Sequence, residues 1–473
     1  MNTRSNRTVR AAASVTCLVA AILLIMAASP AILSAARTKA ASRSAAKNII
    51  VMIADGWDYN HVDASSYYQY GAAARQVYNR FPFRYAMSTY AAFFDFQACH
   101  ESGYDPVAAW SDFGYVHDCW TDSAAAATAM STGVKTRWAA IGVDLDNQPL
   151  PHVLEFAESQ GKATGVVSSV EWTHATPAGF VAHNLSRNDF AGIGQEMVHD
   201  SAADVIMGAG HPWFDVDGQP RATPNSFNYV GGETTWDDLV AGIAGGDADG
   251  DGVPDPWVLV QSRGEFQALM NGPTPKRVLG TAEVYQTLQQ ERGGDAYADP
   301  YVVPLIETVP TLEEMTRAAL NVLDDDPDGL FLMIEGGAVD WASHSNQSGR
   351  MIEEQIGFDY AVEAVVEWVK SNSNWGETLL IVTGDHETGY LTGPGSNPDW
   401  TPIVNNGAGN LPGMEWHSGE HTNRLIPVFA KGKAARRFRS YVDGKDPVHG
   451  RYLDNTDLAE VIFWAMTPRQ RTR

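Results

Sequence analysis

Three cysteines in 473 residues, one of them Cys17 near the N-terminus, are too few for a disulfide-built scaffold or a cysteine-held zinc module. Positive charge is scarce as well: 33 lysines and arginines stand against 57 aspartates and glutamates, a formal charge of −24. A field of that sign disfavours nucleic-acid backbones, so no nucleic-acid binding is expected. It also repels small anions, and any phosphate-binding site must reverse the sign locally with metal ions and arginine. No internal repeat and no low-complexity run is present, which sets aside repeat folds and a long disordered linker.

The first ten residues contain Arg4, Arg7 and Arg10 and no acid, an apolar stretch follows from about residue 11 to residue 36, and Arg37 and Lys39 close it. This is the pattern of an export signal or an N-terminal anchor. Small residues at Ser34, Ala35 and Ala36 favour cleavage, whereas the length of the stretch, close to what spans a bilayer, suits retention at a membrane. No adjacent arginine pair points to twin-arginine export, and Cys17 comes too early in the stretch for lipid attachment. Residues 1–40 are therefore set apart, and export to the periplasm or the exterior is expected. In an exported protein Cys99 and Cys119 pair as a disulfide more often than they stay as two buried thiols.

The rest alternates strand and helix, which predicts an α/β fold with a large, mainly parallel central sheet and helices on both faces. Strands are expected at 48–54, 163–170 and 203–208, with an alanine-rich helix from 123. Thr311 and Glu314 have capping-box spacing for a helix through Leu323, and a second amphipathic helix covers roughly 351–370. Residues 56–118 and 212–300, which lack a clear period or are rich in glycine, proline and acid, read as insertions.

Three apolar runs end in carboxylates: NIIVMIADG at Asp55, LFLMIEGG at Glu335, and TLLIVTGDHE at Asp385 and His386. Buried parallel strands that deliver metal-type ligands at their carboxyl ends mark a catalytic edge. Asp340 and His344 are one helical turn apart and point at one ion. Ser123 opens the alanine-rich helix, where free N–H groups and the helix dipole favour an alkoxide or a phosphate oxygen. Taken alone, the segment Thr121-Asp122-Ser123 favours a helix cap, since all three are common capping residues.

In this order the motifs resemble the alkaline phosphatase family: Asp55 after the first strand, Asp122-Ser123-Ala124, Ala175-Thr176-Pro177-Ala178 with Arg187 eleven residues beyond Thr176, Glu335 to Asp340 to His344, Asp385-His386, and His421-Thr422. The resemblance makes 41–473 one catalytic domain. It implies hydrolysis of small-molecule phosphate monoesters through a phosphoserine at Ser123, with Arg187 as phosphate clamp, and a homodimer. Asp340, His344 and His421 then resemble the ligands of one zinc, and Asp55, Ser123, Asp385 and His386 those of a second. Asp55, Thr176 and Glu335 form an all-oxygen set suited to magnesium. His417 is the competitor of His421.

His174 stands where the family carries aspartate or histidine, as a third-site ligand or a group just behind it. Trp341 replaces a lysine or histidine and becomes a pocket wall. Asp247, Asp249, Asp251 and Asp255 begin like a calcium loop, but its twelfth position is Val258 rather than glutamate, so the alternatives are structural calcium and an acidic turn. Rival functions are a phosphodiesterase sharing the zinc ligands and a non-catalytic metal-binding surface protein.

Overall fold

The computed structural model describes residues 45–94, 97–99, 103–248 and 252–467. The N-terminal segment read as signal or anchor lies outside the described residues. Among those described, no helix is long and apolar enough to cross a membrane.

Eleven strands form the central sheet: β1 (Asn48–Ala54), β2 (Phe83–Ser88), β3 (Ala163–Glu171), β4 (Val205–Ala209), β5 (Val258–Val260), β6 (Val278–Thr281), β7 (Leu330–Gly336), β8 (Thr378–Thr383), β9 (Ile426–Gly432), β10 (Gly444–Asp446) and β11 (Gly450–Asp454). Their order across the sheet is β10-β11-β2-β9-β8-β1-β7-β3-β4-β6-β5. From β8 to β5 every pairing is parallel, and β9 runs antiparallel to both β8 and β2. The two stretches read as insertions are therefore not excursions only. The first returns β2 to the sheet and the second supplies β5 and β6.

Alternation explains the two-sided core. In β1, Ile49, Val51 and Ile53 face one apolar cluster, and Ile50, Met52 and Ala54 face the other. Phe331 and Met333 of β7 join the first cluster, and Leu330, Leu332 and Ile334 the second. Helices cover each side. With α1 at Tyr59–Tyr70, α2 is Ser123–Thr132, α3 is Ala175–Val181, α4 is Leu312–Leu323, α5 is Ala338–His344, α6 is Ser348–Asn372 and α7 is Thr456–Met466. Residues from α2, α3 and α7 complete the first cluster, and residues from α1, α4 and α6 the second.

The alanine-rich sequence of α2 has a packing reason. A Cβ at Gly179 of α3 would lie 2.6 Å from the Ala127 Cβ, so only small residues let these helices approach. That approach sets Thr176, near the start of α3, beside the start of α2.

Thr311 caps α4 as its spacing predicts: its hydroxyl accepts from the Glu314 N–H at 3.1 Å, and Glu314 accepts from the Thr311 N–H at 2.9 Å. Thr311→Ala is expected to cost about 1 kcal/mol, read as a lowered midpoint in chemical denaturation at unchanged activity.

Candidate active site

Four strand ends converge on one crevice. β1 hands on to Asp55, Glu335 is the next-to-last residue of β7, β8 runs through Gly384 to Asp385 and His386, and β3 leads to His174 and then to Thr176 in α3. Gly56 has φ of 77°, and a Cβ there would fall 2.9 Å from Asp340 Oδ1, so the residue after Asp55 must be glycine.

Asp340 and His344 lie one turn apart on α5, with Asp340 Oδ2 3.4 Å from His344 Nε2. His421 brings Nε2 within 3.0 Å of His344 Nε2 and 3.4 Å of Asp340 Oδ1. The outer nitrogens of both rings face carbonyls: His344 Nδ1 lies 2.6 Å from the Gly419 oxygen and His421 Nδ1 2.8 Å from that of Thr121. Those contacts require Nδ1–H donors, so in the neutral rings both Nε2 lone pairs point inward at a carboxylate. Next to them, His386 Nε2 is 3.1 Å from Asp385 Oδ2, 3.6 Å from Asp55 Oδ1 and 3.2 Å from Ser123 Oγ. Thr176 Oγ1 sits 3.4 Å from Asp55 Oδ2, and Asp55, His174 and Glu335 gather close enough to hold one ion.

Asp55, Glu335, Asp385 and His386 are fully buried. Burial, and then Asp385, push the Asp55 carboxyl far above the usual carboxylate range. Burial, then Asp340, push Asp385 to about 8. Burial raises Glu335 to about 7 against the hydroxyls that hydrogen-bond it. Asp340 goes the other way: burial opposes ionisation, but His344 and His421 hold its carboxyl well below normal. Burial and the facing His421 keep His386 neutral.

The cap reading of Ser123 is resolved by its neighbour. Asp122 is the N-cap and accepts from the Ala125 N–H at 3.1 Å, so the Ser123 hydroxyl is not spent on capping and turns to His386. The same carboxylate accepts from the Ala139 N–H at 3.0 Å and from Arg187 NH1 at 2.9 Å. Arg187 NH2 lies 3.2 Å from His174 Nε2, and burial together with Arg187 lowers His174 to about 3. Trp341 packs against His174 with ring centroids 5.8 Å apart. His417 is turned away from this group and meets Thr392 Oγ1 at 2.7 Å.

The expected disulfide needs correction. Cys99 and Cys119 are free thiols, brought together by the ribbon Phe93–Phe94 with Gln97–Ala98 and by a left-handed turn at Cys119 with φ of 54°. Burial, together with the facing Cys119 sulfur, pushes the Cys99 thiol up. Of the expected calcium loop, Asp249 and Asp251 lie outside the described residues. Asp247 accepts from the Gly252 N–H at 2.8 Å and Asp255 from the Ala248 N–H at 3.1 Å, the bonds of an acidic turn.

A family model for alkaline phosphatase matches residues 46–414. The chain belongs to the alkaline phosphatase family. It is 28% identical to alkaline phosphatase H of Pseudomonas aeruginosa over 450 residues, 88% of this chain and 86% of that one. It is 32% identical to alkaline phosphatase 4 of Bacillus subtilis over 409 residues, 72% of this chain and 76% of that one. The solved alkaline phosphatase of the Antarctic bacterium TAB5 superposes with a TM-score of 0.60 at 25% identity, covering 91% of this chain and all of the other. The protein is a phosphatase of a family that uses divalent metals and acts on phosphate monoesters.

Several groups around the crevice carry no sequence signal. Thr388 donates to Asp340 Oδ1 at 2.5 Å, and Ser168 donates to Glu335 Oε2. Behind α5, Asp58 binds Arg424 at 2.9 Å and His61 Nδ1 at 3.0 Å, while His61 Nε2 reaches Ser343 Oγ at 3.3 Å. Only an i,i+3 spacing of Asp58 and His61 at a helix start hinted at this phosphatase's buried support.

Glu171, at the end of β3, is 1% exposed and burial raises it from 4.5 to about 8. The folded chain therefore holds a proton that the unfolded chain has released, and stability falls as pH rises from 4.5 to about 8. Glu171→Gln is expected to gain thermal stability over the parent across that window and to hold a constant advantage above it. Melting temperatures taken against pH read this directly, and parallel curves count against the assignment.

Proposed function

We propose that this phosphatase cleaves phosphate monoesters through a phosphoserine on Ser123. In this reading Asp340, His344 and His421 hold one zinc, Asp55, Ser123, Asp385 and His386 a second, and Asp55, Thr176 and Glu335 a magnesium. What supports it is the excess of inward-facing acceptors. Asp55 Oδ1, Asp385 Oδ2 and Glu335 Oε1 are buried without a hydrogen-bond partner, and the Nε2 atoms of His344 and His421 face each other. Such a set is costly unless cations fill it. Mixed imidazole and carboxylate donors suit zinc, and the all-oxygen set suits magnesium. His174 fits behind the third site: with Nε2 turned to Arg187, its ring proton sits on Nδ1, which suits a hydrogen bond to a water there.

Ions held in these positions supply Lewis acidity at the attacking and leaving oxygens. The chain's own residues do the rest. Ser123, at the start of α2 and 1% exposed, presents a hydroxyl whose ionised form is favoured by the helix N-terminus. Arg187 binds Asp122 and His174 with two of its five N–H groups and offers the others to phosphate oxygens. The serine oxygen bonds to phosphorus as the alcohol departs, and water then breaks the new ester to release phosphate and restore Ser123.

Export to the periplasm or exterior and a homodimer belong to the same reading. They are supported by the N-terminal sequence and by the family respectively.

The observation that carries the proposal is Ser123 Oγ at 3.2 Å from His386 Nε2, inside the carboxylate cluster and beside Arg187. Incubation with a radiolabelled phosphate monoester at low pH, followed by acid quench, is expected to leave label on the protein. Ser123→Ala should abolish that label and lower turnover by at least about a thousandfold. Unchanged labelling would remove the phosphoserine. Faster hydrolysis of bis-nitrophenyl phosphate than of nitrophenyl phosphate would turn the assignment toward a diesterase. Metal analysis of the purified protein should find two zinc and one magnesium per chain. Stripping them should lower the melting temperature as well as activity, because the vacated acceptors repel.

A further inference from the structure

Three tryptophans border the crevice, and the chemistry proposed above uses none of them. Trp120 lies three residues before Ser123 and sets its ring edge-to-face on His421, centroids 5.1 Å apart. Trp138 meets Trp120 edge-to-face at 5.5 Å and is 49% exposed. Trp341 directly follows Asp340 and is half-buried against His174. Trp120 thus borders the His421 side of the crevice, Trp341 the His174 side, and Trp138 stands against Trp120.

Trp138 is held there by the site itself. It occupies a turn closed by the Ala140 N–H on the Arg137 carbonyl at 3.3 Å. The next residue, Ala139, has φ of 63°, donates its N–H to Asp122 and accepts the Arg187 N–H at 2.8 Å. The backbone that anchors the phosphate clamp therefore also fixes an exposed indole beside it. An indole kept half in water gives up much of the burial that usually stabilises it, and its free face offers a large, rigid, apolar surface with little side-chain entropy to lose.

We infer that Trp120, Trp138 and Trp341 form an aromatic rim that stacks on a flat ring in the alcohol half of the substrate. The rim makes ring-bearing monoesters such as nucleoside 5′-monophosphates preferred over open-chain polyol phosphates. This rests on the phosphomonoesterase reading and adds a substrate class to it. Stacking on an indole is indifferent to which base or aryl group is presented, so the preference is for a planar ring rather than for one base.

The test compares two esters of primary alcohols, adenosine 5′-monophosphate and glycerol 3-phosphate, so that leaving-group chemistry is matched. The metal-loaded wild-type enzyme is expected to favour the nucleotide in kcat/KM by about tenfold or more. Trp138→Ala should lower that ratio about tenfold, chiefly through KM for the nucleotide, since stacking acts on bound substrate and transition state alike. Trp138→Phe should recover most of it, which separates a lost ring from a disturbed turn. A wild-type ratio near one, or the same ratio in Trp138→Ala, overturns the rim while leaving the phosphatase intact. If wild type hydrolyses neither ester, the phosphomonoesterase reading falls and the rim with it.

Discussion

Everything at the centre of this molecule turns on acceptors that face one another with nothing of opposite sign between them. Asp55, Glu335 and Asp385 are fully buried, Asp340 nearly so, and the Nε2 atoms of His344 and His421 face the Asp340 carboxylate and each other. A protein interior does not tolerate that arrangement for stability's sake, since Asp55, Glu335 and Asp385 forfeit hydration and face other carboxylates. The opposing pKa directions follow from it. Asp385 and Glu335, which face other acids, rise to about 8 and about 7, whereas Asp340, which faces imidazoles, falls. A crevice so strained without cations is one organised to receive them.

The sheet is what makes such strain affordable. β1 lies at the middle of the eleven-stranded sheet, flanked by β8 and β7, with Ile53 in register with both Thr383 and Glu335. Three adjacent strands therefore end at the same level, and each has both faces covered by the two apolar clusters. The carboxylates stand at ends that cannot retreat, because moving one would drag a strand through a packed core. Rigidity of this kind keeps the site's geometry fixed while its charge changes.

This division also explains what could be read from the sequence. Each strand carrying a ligand is a continuous apolar run closed by a polar residue, and a β-strand's periodicity and end are local properties. So β1, β3, β7 and β8, the start of α2 and the capped α4 were legible, as were the residues that end or open them. Contacts made by single residues across long separations were not. Thr388 on Asp340, Ser168 on Glu335, His174 on Arg187, and the Arg424–Asp58–His61–Ser343 chain behind α5 each depend on the fold being already assembled. The cysteines show the same limit from the other side: sequence placed Cys99 and Cys119 near each other, but whether two sulfurs meet at bonding distance is decided by turn geometry. Residues 212–300 misled because strands as short as β5 and β6 have too few residues to show a period.

In the proposed mechanism Asp122 links the nucleophile to the group that holds its target. One carboxylate caps α2, and so fixes the direction of Ser123. It also takes the Ala139 N–H, and so fixes the turn whose carbonyl receives the Arg187 backbone, and it pairs directly with the Arg187 side chain. Capping, turn and ion pair share one anchor, so the serine oxygen and the guanidinium cannot drift independently. Positioning of this sort is where most of the benefit of holding two reacting groups together arises, since a small displacement of either is costly in rate. His174 completes the restraint at the other terminal nitrogen of the guanidinium, and because burial and Arg187 keep it neutral, it braces the arginine without adding a second positive charge.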